Sequence, residues 1–120
     1  MVEHEMKDNP ILEKSAAFAL RIVNLYKYIK GSKNENVLSK QLVRCGTSIG
    51  ANVAEAQRAQ TRADFHAKMC IAQKEANETA YWLELLHSAE YLSEVEYNSI
   101  RKDIDEVLRL LGAICKTTAN

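Results

Sequence analysis

After Pro10 this chain contains no further proline, and only four glycines fall anywhere in its 120 residues. Proline removes a backbone N–H and clashes with the preceding turn, so a chain without one is free to run in long helices. Pro10 follows Asn9, which serves as a helix cap. At a first helical position the missing N–H costs nothing. Apolar residues then recur at steps of three, four or seven, the period of one helical face. The first stripe is Ile11, Phe18, Ile22, Leu25 and Ile29. Leu38, Leu42, Cys45, Ile49, Val53 and Ala56 form a second, and Phe65, Met69, Ala72, Ala76, Ala80, Leu83 and Leu86 a third. Tyr97, Ile100, Ile104, Val107, Leu111 and Ile114 form a fourth.

The segment ends supply the punctuation. Gly31 is expected to close the first helix in a left-handed conformation, with 31–36 as loop. Thr61 through Asp64 resembles a capping box, and Ser93 through Glu96 is a true one. The expectation is four helices at about 10–30, 37–58, 62–89 and 94–115, within one domain spanning 1–120. With short connections they make an all-α, antiparallel up-down-up-down four-helix bundle. No strand-period alternation or internal repeat occurs, and the last five residues, KTTAN, are expected to fray.

Composition narrows the compartment and the chemistry. The chain is 47% hydrophobic, enough for a core without disulfides or metal. Its cysteines, Cys45, Cys70 and Cys115, are odd in number and lack CxxC spacing, so they read as small, buried, reduced side chains. The N-terminus MVEHEMKDNP is acidic with no apolar run, which excludes a signal peptide, and no 18-residue apolar stretch is present. A cytoplasmic protein that does not enter membranes is expected. Net charge is zero but unevenly spread. Residues 1–13 carry one base and four acids (−3), residues 14–74 eleven bases and three acids (+8), and residues 75–120 four bases and nine acids (−5).

Two glycines sit where the second helix belongs. Each costs a helix interior about 1 kcal/mol relative to alanine. Gly46, Gly50 and Ala54 are spaced by four, so they form one smooth ridge against which another helix can pack backbone to backbone. The ridge lies beside the Cys45/Ile49/Val53 stripe, giving this helix two contact surfaces: one for the core, the other for a neighbour. The third helix likewise carries Ile71, Trp82 and Leu85 outside its main stripe, an apolar arc suited to self-association. Glu75 and Glu78 share that face. Carboxylates partly buried in an interface need a partner, and Arg44 is the candidate, within the chain or from a second copy.

These residues resemble a known family. QLVRCGTSIGANVAEAQ matches the second-helix signature of the bacterial four-helix-bundle family of the 23S rRNA intervening-sequence protein, through Gln41, Leu42, Arg44, Cys45, Ser48, Ile49, Asn52, Val53, Ala54, Glu55 and Ala56. Many members have glycine where Ala56 stands. The third-helix signature is met by Asp64, Phe65, Met69, Ile71, Ala72, Ala76, Glu78, Thr79, Trp82 and Leu83, so that the resemblance spans about residues 10–115. It implies a left-handed up-down-up-down bundle assembled as a homo-oligomeric ring, pentameric in the family. Some members are encoded within ribosomal RNA genes. Related accessory proteins of diversity-generating retroelements bind nucleic acid.

Catalytic and metal constellations are absent from the pattern. Glu84 and His87 have Glu-x-x-His spacing, but a di-iron bundle needs two such motifs and further glutamates; a solvated pair is the simpler reading. His66 and Cys70 could hold zinc only if a second pair with zinc spacing joined them, and none exists. Thr47 and Ser48 lie mid-helix, where hydroxyls bond back to the previous turn, and no phosphate loop follows Gly46 and Gly50. Neither an enzyme nor a cofactor or small-molecule substrate is expected. Lys40, Arg44, Arg58 and Arg62 lie toward one side of the second helix and the start of the third. Repeated round a ring they would attract RNA or DNA backbone. The expectation is a non-enzymatic adaptor that binds RNA or DNA through this basic surface. The alternative, favoured by neutral charge and wide apolar faces, is a protein-interaction scaffold.

Overall fold

A computed structural model describes residues 8–119; the acidic start of the chain, residues 1–7, lies outside the described residues, as does residue 120. Four helices follow one another: α1 (Pro10–Ser32), α2 (Leu38–Ala56), α3 (Arg62–Ser88) and α4 (Glu94–Thr118), with no strand among the described residues. Each packs on its neighbour in sequence, and α1 and α4 close the bundle along a thinner seam. This is the expected up-down-up-down, all-α arrangement. At about 1.5 Å per residue, the 27 residues of α3 span ~40 Å, which accounts for the longest molecular dimension of 44 Å.

The caps follow the sequence signals. Asn9 Oδ1 accepts from the Leu12 N–H, and Thr61 Oγ1 from the Asp64 N–H. The Ser93–Glu96 box closes reciprocally at 3.1 and 2.8 Å. The predicted stripes supply one continuous core, in which Ile22, Ile29, Leu42, Ile49, Val53, Leu83, Leu86, Ile104 and Leu111 are fully buried.

Three boundaries differ from expectation. Gly31 is helical, and the left-handed residue is Asn34 at φ 54°. Gly31 is exposed with no atom near its missing Cβ, so nothing forces the chain to turn there, whereas asparagine tolerates the left-handed region better than most residues. Helix α2 ends at Ala56, not 58. Residues 116–118 of the tail stay helical, because the Thr117 and Thr118 hydroxyls bond back to Ala113 and Ile114 carbonyls and His66 holds Thr118.

The start of α2 has a device the spacing did not reveal. Its N-cap residue, Val37, offers no side-chain bond. Glu35 instead turns its carboxylate onto three free N–H groups, at 2.9 Å from Val37, 2.8 Å from Leu38 and 2.8 Å from Ser39. Burial pushes the Glu35 carboxyl up, but these backbone bonds outweigh burial and hold it below the ordinary carboxylate value.

Candidate interaction face on the second and third helices

The glycine ridge of α2 meets its neighbour inside the protomer. A Cβ at Gly46 would lie 2.8 Å from Ile22 Cγ2 of α1, and one at Gly50 would lie 3.1 Å from the Ser15 carbonyl oxygen. Close helix approach is therefore what the glycines provide, as expected. The surface they form, however, is taken up by α1 and is not available to a second copy. Sequence spacing identifies a smooth ridge but does not say which helix fills it.

The opposite flank of α2 faces α3, and here the expected ion pairs form. Arg44 Nη2 lies 3.3 Å from Glu78 Oε1, and Nη1 lies 3.8 Å from Glu75 Oε2. The second distance exceeds hydrogen-bond reach. Glu75 Oε2 is shielded from solvent and has no hydrogen-bond partner, leaving a carboxylate oxygen incompletely compensated. Lys68 adds a second bridge across the same seam, 3.0 Å from Glu55.

Apolar side chains surround this cluster. Ile71 lies one turn before Glu75 and is 42% exposed; Tyr81, at 59%, stacks edge-on against Trp82 with ring centroids 5.1 Å apart. Trp82 and Leu85 are half-buried, and Trp82 packs against the core with one side. Tyr81 belongs to the arc on helical spacing but was not among the residues singled out from sequence.

The basic candidates do not converge. Lys40 and Arg58 are exposed, but the helical rise separates them by roughly 27 Å. Arg44, between them, faces Glu75 and Glu78. Arg62 donates to the Thr117 carbonyl at the end of α4, 2.9 Å away. Glu84 and His87 find partners on α4 instead of a metal: Glu84 lies 3.9 Å from Arg101, and His87 lies 2.9 Å from Glu94 and stacks on Tyr97. Thr47 bonds back to the Val43 carbonyl at 2.6 Å, the mid-helix behaviour expected of it. Among the described residues no group of three or more histidine, cysteine or acidic side chains is arranged to hold a metal, and no helix is long and apolar enough to cross a membrane.

The fold and this face define a small antiparallel helical bundle with an amphipathic outer surface. The chain belongs to the 23S rRNA-intervening sequence protein family, whose model matches residues 7–113. It is similar to a solved protein of unknown function from the S23 ribosomal protein family of Bacteroides thetaiotaomicron. The two are 55% identical, with a TM-score of 0.89, and the match covers 92% of this chain and 98% of the other. No curated protein matches the chain.

Proposed function

We propose that this protein is a non-enzymatic, cytoplasmic, homo-oligomeric scaffold, assembled through the outer face of α2 and α3. The observation that carries the reading is the Glu75 carboxylate. One of its oxygens is withdrawn from solvent without a hydrogen bond, inside an arc of Ile71, Tyr81, Trp82 and Leu85 that remains partly exposed. A half-satisfied acid beside a partly exposed apolar arc costs free energy in a free protomer, and a neighbouring copy that seals the arc and presses Arg44, 3.8 Å away, onto Glu75 lowers that cost. Trp82, anchored by the core on one side, supplies the kind of large rigid surface on which interfaces concentrate their binding energy. The ring of five that the family resemblance implies is compatible with this face, since a head-to-tail contact between two unlike patches closes into a ring when the rotation allows. RNA or DNA binding receives less support, because Arg44 and Arg62 are engaged with the protein's own groups and Lys40 and Arg58 stand far apart.

The test is light scattering of the wild type and of Trp82→Glu. An oligomer that falls to protomer mass on substitution, with helix content unchanged by circular dichroism, is the expected result. A monomeric wild type, or a variant whose assembly is intact, overturns the reading. Anisotropy of a labelled structured RNA, titrated at low and near-physiological salt, checks the competing role. Tight binding with a steep salt slope would move the function to nucleic acid.

A further inference from the structure

The seam between α3 and α4 is in register along its length. His66 meets Thr118, Gln73 faces Gly112, Glu84 reaches Arg101 and His87 stacks on Tyr97. Each step up α3 is matched by a similar step down α4. Cys70, one turn beyond His66, therefore falls opposite Cys115, just under a turn before Thr118, and the two thiols interact. Sequence spacing could not pair them, because they are far apart in the chain and neither belongs to a recognisable motif.

The His66 ring and the Thr118 hydroxyl lie beside the pair. The Thr118 hydroxyl donates to the Ile114 carbonyl at 2.8 Å, so its oxygen is left to accept. His66 Nδ1 lies 2.7 Å from that oxygen. Cys70 Sγ lies 3.4 Å from Nε2 and 3.8 Å from Nδ1, over the face of the ring and not in line with the lone pair of either nitrogen. Cys70 lines a groove with Gln73, Lys74 and Asn77, which lie outside the arc proposed for assembly; Glu78 and Tyr81, which also line it, lie at the edge of that arc. Lys74 and Gln73 offer a cation and an amide to the carboxylates of a small peptide. Cys115 is buried, and burial pushes its thiol up to about 12, so it is not the first to attack.

We infer that Cys70 and Cys115 are a redox modification site that accepts a low-molecular-weight peptide disulfide and closes to a disulfide clamping α3 to α4. In the first step Cys70 loses its proton to solvent and attacks one sulfur of the small disulfide as the thiolate. That S–S bond breaks, and one small thiol leaves with a proton. In the second step Cys115 loses its proton and attacks Cys70 Sγ, expelling the other small thiol. Two protein thiols are oxidised and one small disulfide is reduced to two thiols. Cys45, fully buried on α2, stays outside the exchange.

The experiment treats the full chain with oxidised glutathione at pH 8, blocks remaining thiols and maps tryptic peptides by mass spectrometry. The expected product joins the peptide 69–74 to the peptide 110–116 and leaves Cys45 blocked as a free thiol. Cys115→Ser should stop at a glutathione adduct on Cys70, and Cys70→Ser should leave Cys115 unmodified. A wild-type protein that ends as the stable Cys70 adduct, that stays fully reduced, or that links Cys45 instead overturns the inference.

Discussion

Along its α2 flank, α1 lies so close that a methyl group at Gly46 would fall 2.8 Å from Ile22. Along its α4 flank the same helix stands off across two grooves, of about 280 and 410 Å³. The first seam is close-packed, Gly46 against the Ile22 side chain and Gly50 against the Ser15 carbonyl. The second is bridged by Arg21, which reaches Asp103 at 2.6 Å and the Ser99 carbonyl at 3.2 Å with a side chain that is itself 40% exposed. Close-packed contact gains many small dispersion terms and loses them abruptly when shape changes. An exposed ion pair contributes little and is screened by salt. One helix thus carries a seam on which stability depends and a seam on which it barely does.

Breaking the tight seam should have the largest effect. Gly46→Val places two methyls against a buried, β-branched Ile22, and should lower stability to urea by about 3 kcal/mol. Next is the connection that leads into α2. Glu35→Ala frees three N–H groups at once and should cost about 2 kcal/mol. Because the folded Glu35 carboxyl is held below its ordinary value of 4.5, its contribution is fully present above that pH and is lost as pH falls through the folded value. Urea midpoints taken down that range should therefore drop faster for the wild type than for Glu35→Gln. The loose seam should yield the smallest change. Arg21→Ala should cost no more than about 0.5–1 kcal/mol, and less in high salt. If Arg21→Ala proves costlier than Gly46→Val, the contrast between the two seams is refuted.

Much of this architecture was readable from spacing, because a helix that buries one face must repeat its apolar residues with the helical period. The stripes from Ile11 to Ile29 and from Tyr97 to Ile114 are cases in point. Local caps such as Ser93 with Glu96 were equally legible, since both partners lie within one turn. What the period could not convey is which neighbour a surface meets. Gly46 and Gly50 announced a close approach without naming α1, and Cys70 gave no sign of Cys115 across the bundle. Arg44 was matched to Glu75 and Glu78 because charge complementarity crosses helices even when register is unknown. Glu35 was missed because it lies outside the helix it caps, reaching N–H groups two to four residues ahead. Lys40, Arg58 and Arg62 share a side on paper, but helix length pulls the first two apart and a carbonyl on α4 holds the third.

The thin α1–α4 seam also bears on how the chain reaches its fold. Every substantial helix contact joins neighbours in sequence, and only that last seam links the two ends of the bundle. Contacts of this kind close short loops and lose little chain entropy before they are rewarded, which places such bundles among the microsecond-to-millisecond folders. Successive helical hairpins can dock in turn, and the ring of helices need not close before the core is dry. The same order run backwards makes the two end helices, α1 and α4, each gripped firmly on one side only, the first whose amides should exchange with solvent.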